Sequence, residues 1–203
     1  QPTGQFYTLT LDDQEPFNLY GSQQDWGTLI VPSIARKPDA RGYFDTGWSE
    51  AGHVAVSHDN PNVLYISDHH WLLRYDRRTD AVKYIGPRDE TNYGVGTRDI
   101  KYRFNWTFPV VSSIHDDRTV YVGSQYVHRS RDGGETWDAI SPDLTRADPD
   151  KLEITPEPGV DTSSNDRYWG PLTRDSNGDH WFSTLYTIAE SPFSRKIIWT
   201  GSD

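Results

Sequence analysis

Apolar and polar positions alternate along most of this chain with a period of two, in short runs closed by Pro, Asp, Asn and Gly. That is the pattern of half-buried β-strands, not of helices. The runs also repeat as a unit of strand, polar turn and second strand. The unit occurs at residues 6–22, 53–67, 108–124 and 185–202, with turns at 12–16, 58–61, 115–118 and 190–194. An aromatic residue marks each second strand, at Tyr20, Tyr65, Tyr121 and Trp199.

Two units run on into a second hairpin. The first of these reads as strands 53–57, 63–67, 71–75 and 81–85, and the next as 109–114, 119–123, 126–129 and 136–140. The opening unit shows two strands and a less clear outer pair between Thr28 and Tyr43, and the last shows two strands. Four antiparallel strands per repeat make the blade of a β-propeller. The expected fold is therefore all-β: one domain over residues 1–203, part of a propeller with two full and two partial blades. Its units lie near 5–45, 50–87, 106–142 and 182–203, with long inserts at 86–105 and 141–180. Open blades leave apolar sheet in water, so the expectation is a segment of a larger protein, or a subunit that others complete. The first residue is Gln rather than Met, which suggests a trimmed or excised chain.

Residues 130–137, Ser-Arg-Asp-Gly-Gly-Glu-Thr-Trp, stand between two strand-like runs. Adjacent glycines supply the positive φ of a tight turn. The Asp132 carboxylate and Ser130 hydroxyl can bond backbone N–H groups within it. Ser130, Asp132, Gly134 and Trp137 are thus expected to build the turn, not to do chemistry.

Strand order puts the links from second to third strand at one end, together with the long connections. That end gathers Gln24, Asp25, Trp26, Asp68, His69, His70, Trp71, Gln125 and Tyr126, with Tyr93, Asp166 and Trp169 from the inserts. Aromatic plates beside amides and carboxylates suit flat, hydroxyl-rich ligands such as sugars. Gln24, Trp26, His70, Trp71, Gln125, Tyr126 and Trp169 are the expected ligand-binding residues. A glycosidase needs two carboxyl groups across a cleft, and Asp25 with Asp68 is the best pair for catalysis. In an extended strand His69 and His70 point to opposite faces, and Asp68 with His70 supplies two ligands, too few for a metal site. No metal or other cofactor is expected. Arg98, Arg103 and Arg167 are candidate carboxylate clamps, and Asn105-Trp106-Thr107 fits the N-glycosylation pattern. Residues 148–152 read as a short helix.

Composition narrows the partners. A formal net charge of −10 disfavours nucleic acid and anionic membranes. No apolar run approaches the ~20 residues that cross a bilayer. The chain has 0 Cys, so thiolate chemistry and disulfides are excluded.

The pattern at 130–137 resembles the Asp-box of BNR-repeat β-propellers. With residues 17–25 and 119–124, the chain resembles exported bacterial proteins of the sortilin-like, VPS10-type group, often labelled glycosyl hydrolases. The resemblance implies tandem propellers in a longer polypeptide and an extracytoplasmic location, periplasmic or secreted. It does not carry the Arg-Ile-Pro motif of sialidases. The expected role is a non-catalytic scaffold or binding segment for a polysaccharide or protein partner, or for the remaining blades of the same protein, or a subunit of a larger extracytoplasmic assembly. The alternative is part of a glycoside hydrolase working through the paired aspartates.

Overall fold

A computed structural model describes residues 4–34, 44–46, 49–50, 52–88, 97–152 and 181–203. Among these, three four-stranded antiparallel sheets and one two-stranded sheet follow one another along the chain. The first sheet is β1 (Thr10–Leu11), β2 (Asn18–Gln23), β3 (Gly27–Pro32) and β4 (Phe44–Asp45). The second is β5 (Val54–Val56), β6 (Val63–Asp68), β7 (Trp71–Asp76) and β8 (Ala81–Tyr84). The third is β9 (Val110–Ser112), β10 (Val120–Gly123), β11 (Val127–Ser130) and β12 (Asp138–Ala139), and the fourth is β13 (Leu185–Glu190) with β14 (Ile198–Ser202). Each is a simple meander in which neighbours in sequence pair. The first unit therefore has four strands, the outer pair being β3 and β4, of which β4 falls just past the 28–43 stretch expected to hold it. Its outer strand β4 is only two residues long, too short to show an alternation.

The sheets pack face to face in chain order, and the side-chain parity of each strand shows it. In β6, Leu64 and Ile66 join Tyr20, Ile30, Val54, Val56, Leu73 and Tyr75 in a core between the first two sheets. The alternate residues Val63 and Tyr65 point the other way, to Phe104, Phe108, Val110, Val120 and Val122 of the next layer. Both faces of β6 are buried, hence its nearly unbroken apolar run. A third core joins Tyr121 and Val127 to Leu185 and Ile188. The first strands of neighbouring sheets meet: β1 touches β5, β5 touches β9, and β9 touches β13.

Among the described residues helix is scarce: a 3-10 turn spans Thr97–Asp99, and a short helix, α1, spans Pro149–Leu152. Asp148 caps α1 by accepting the Asp150 N–H at 3.1 Å. No helix among the described residues is long and apolar enough to cross a membrane.

Candidate functional site

The β2–β3 and β6–β7 turns and the β4–β5 connection converge at one end of the sheets. Asp25 sits in the β2–β3 turn with φ of 58°, a left-handed conformation Asp tolerates better than most. Glu50, from the β4–β5 connection, fixes that turn. Its Oε2 accepts the Asp25 N–H at 2.6 Å and the Gln24 amide at 3.2 Å. The Tyr7 hydroxyl donates to the other side of the Gln24 amide. The neighbouring Trp26 indole is 63% exposed.

The second oxygen of Glu50 reaches the next sheet, where it lies 2.8 Å from His69 Nε2. His69 Nδ1 lies 2.7 Å from Asp68 Oδ1. The Asp68 hydrogen bond raises the His69 pKa above its usual value, against partial burial, and the charges of Asp68 and Glu50 add to it. The ring also stacks on Trp106, with centroids 5.1 Å apart. Glu50 thus ties the ends of the first two sheets through the His69 ring. A lone Glu in a loop gives no periodic signal, and this residue was not among those expected.

His69 and His70 are not extended residues as expected. They are the two-residue turn between β6 and β7, which pair directly at Asp68 and Trp71. Their φ angles are 42° and 74°, the left-handed region a two-residue hairpin of this type needs. Glycine and asparagine normally fill it, so two histidines there hold backbone strain. The sign in the sequence was the short gap, residues 68–70, between two strong strand patterns. Both His69 nitrogens face carboxylates, at 2.8 Å from Glu50 and 2.7 Å from Asp68. Among the described residues no group of three His, Cys, Asp or Glu is placed to hold one.

The other expected residues divide. His70 is buried, 4% exposed, 2.7 Å from the Phe104 carbonyl and packed on Trp181, and it lines a cavity together with Trp71, Tyr84 and Arg88. Gln125 is buried too, accepting the Arg103 N–H at 2.8 Å and donating to the Lys101 carbonyl at 3.0 Å. Trp71 is half-buried with the Arg88 guanidinium 4.3 Å over its ring and Tyr84 edge-on. Tyr126 is half-buried against Tyr102 and His128. Trp169, Tyr93, Asp166 and Arg167 lie outside the described residues. Arg103 is no carboxylate clamp for a ligand. It is 5% exposed and staples two connections, through the Ser183 carbonyl at 3.0 Å and Asp143 at 3.0 Å. Asn105 is fully buried, its amide donating to Thr184 and Tyr186, which leaves it no room for a glycan. Arg98 is exposed.

The carboxylates expected for catalysis have separate settings. Asp25 is exposed, and Asp68 is committed to His69. Among the described residues, the Asp25 carboxylate faces solvent and Asp68 faces the His69 ring.

In the β11–β12 connection, Asp132 is saturated inside the 130–137 turn. Its Oδ1 accepts the Ser130 hydroxyl at 2.7 Å and the N–H groups of Glu135 and Thr136, and its Oδ2 accepts the Thr136 hydroxyl at 2.6 Å. The Thr136 hydroxyl, then the backbone donors, hold the carboxyl well below the usual range. Trp137 Nε1 donates to the Gly134 carbonyl at 3.2 Å.

No family model matches the chain, and no curated protein does. Among solved structures it is similar to the extracellular domain of a putative one-component system from B. thetaiotaomicron, at 14% identity. That match covers 98% of this chain and 20% of the other, with a TM-score of 0.49, so the chain spans about a fifth of the length of that protein.

Proposed function

We propose that this chain is a non-catalytic segment of a β-propeller, and that the end carrying the β2–β3 and β6–β7 turns binds a polysaccharide. Meandering sheets that follow one another and meet through their first strands support the propeller reading. The observation that carries the binding reading is Trp26. A 63% exposed indole costs hydration, yet its turn is held in place by Glu50. Beside it stand a Gln24 amide and the carboxylates of Asp25 and Glu50, which accept hydrogen bonds from hydroxyl groups. An aromatic plate with acceptors at its edge is the chemistry of sugar recognition. The resemblance at residues 130–137 adds an extracytoplasmic location to this reading.

The test is affinity electrophoresis of the full-length protein through gels containing a panel of neutral and acidic polysaccharides. At least one polysaccharide retards the protein, and Trp26→Ala weakens that retardation at least about tenfold. Because Trp26 is exposed, the substitution changes stability by no more than about 0.5 kcal/mol. Retardation by none of the panel, or equal retardation of the variant, sinks the binding reading.

A further inference from the structure

Three arginines from separate segments meet at one cavity between the third and fourth sheets. Arg129 pairs with Tyr121 across β10 and β11, so it shares the face that Tyr121 turns to the fourth sheet. Arg131 follows in the turn after β11, and Arg195 comes from the turn between β13 and β14. With Ser113 and His115 of the β9–β10 turn they line a cavity of about 180 Å³. Buried polar bonds fix its frame. Glu190, at the end of β13, accepts the Ser113 hydroxyl at 2.8 Å, the Ile114 N–H at 2.9 Å and the Tyr121 hydroxyl at 3.0 Å. The His115 Nε2–H donates to the Ser191 carbonyl at 2.8 Å, which ties the turns of the two sheets together.

The arginines take no part in that frame. Among the described residues none of the three guanidinium groups has an ion-pair partner. Arg129 Nε is sealed from water and has no hydrogen-bond partner among them. Acidic residues outnumber basic ones in this chain by 30 to 20, so carboxylates to pair with are not scarce. The nearby ones are engaged elsewhere or exposed. Glu190 uses both oxygens on the bonds above, Asp116 Oδ1 accepts the Arg118 N–H of its own turn at 3.1 Å, and Asp138, opposite Arg129 on β12, is exposed. Three guanidinium groups against Glu190 and Asp116 leave the lining net positive.

The geometry points to an oxyanion site in this cavity, for one sulfate or phosphate group. A guanidinium fork matches such a group through paired N–H donors. A cavity of this size holds several waters, hence one small group and not a polymer. Forks from three segments suit a tetrahedral ester, with three free oxygens, better than a planar carboxylate, with two. None of these residues belongs to the Trp26 site, so the inference stands whether or not that end binds a polysaccharide.

The test is equilibrium dialysis of the full-length protein against radiolabelled sulfate at low ionic strength, where such binding is least screened. Sulfate binds saturably. Arg131→Gln and Arg195→Gln, both at exposed positions, each weaken that binding at least about tenfold. Arg146→Gln, which removes an exposed arginine outside the cavity, leaves it unchanged. No saturable binding, or binding that both cavity variants leave intact, overturns the inference. Equal weakening by Arg146→Gln also overturns it, because that marks a general field and not a site. Competitors then identify the source of the group. Displacement of the label by a sulfated and a phosphorylated glucose as well as by inorganic phosphate assigns the site to an ester on a larger ligand. Displacement by inorganic phosphate alone assigns it to the free ion. In either case the site stands, whereas acetate displacing the label better than phosphate overturns the tetrahedral assignment.

Discussion

Single residues set the acid limit of this protein. Burial lowers the pKa of His53 to about 4, of His128 to about 4 and of His70 to about 3. Each is neutral when folded and takes up a proton when the chain unfolds below pH about 6.5. Their contribution is present above that pH and is lost as pH falls toward 4. His69 has the opposite sign: its raised pKa favours the folded state below pH about 6.5 and fades as pH rises through the folded value. Three opposing groups outweigh one half-exposed ring, so stability falls on acidification. His128→Gln, which can keep a bond to Ser124 Oγ at that site, should flatten the fall by about 2 kcal/mol at pH 5. Urea unfolding at pH 7 and pH 5 checks it, and an unchanged slope would remove His128 from the account. Gly134 is a second sensitive position. Its φ is 95°, and a Cβ there would stand 2.3 Å from the Ile85 side chain of the second sheet. Gly134→Ala should cost about 1–3 kcal/mol from strain and overpacking together, read as a drop in thermal midpoint.

Among the elements, the 130–137 turn and the inner hairpins were the most readable in the sequence. Their signals are local: paired glycines for the turn, and runs such as Val63 to Asp68 bounded by polar residues for the strands. The outer pair of the first sheet was readable only in outline, between Thr28 and Tyr43, because β3 starts at a turn glycine and β4, just past that stretch, has two residues. The binding end was half readable. Gln24, Asp25 and Trp26 follow from topology, since the turn between the second and third strand has one place to go. Glu50 does not, because its partners Gln24 and His69 are brought to it only by the packing of two sheets. His70 and Gln125 look polar and available in the sequence, but the connections before β9 and β13 fold over them. The turn has its own test. Asp132→Ala removes four accepted hydrogen bonds, whereas Glu135→Ala removes one exposed ion pair with Lys83. Exposed pairs contribute little, so the first should lower the thermal midpoint much more than the second. Equal effects would mean that the turn is held by its glycines alone.

At the scale of the whole molecule, the central claim is that these sheets are consecutive blades of a larger ring. Tyr20, Tyr65 and Tyr121 are each sealed by the sheet that follows, and Trp199 is the position in the same series that is open. Water-exposed apolar surface of this kind marks an interface. The most direct measurement is native mass spectrometry of the protein as isolated from its source. The account predicts a species well above the 23.3 kDa of this chain, as one polypeptide or as a complex. A stable species at 23.3 kDa alone would contradict it.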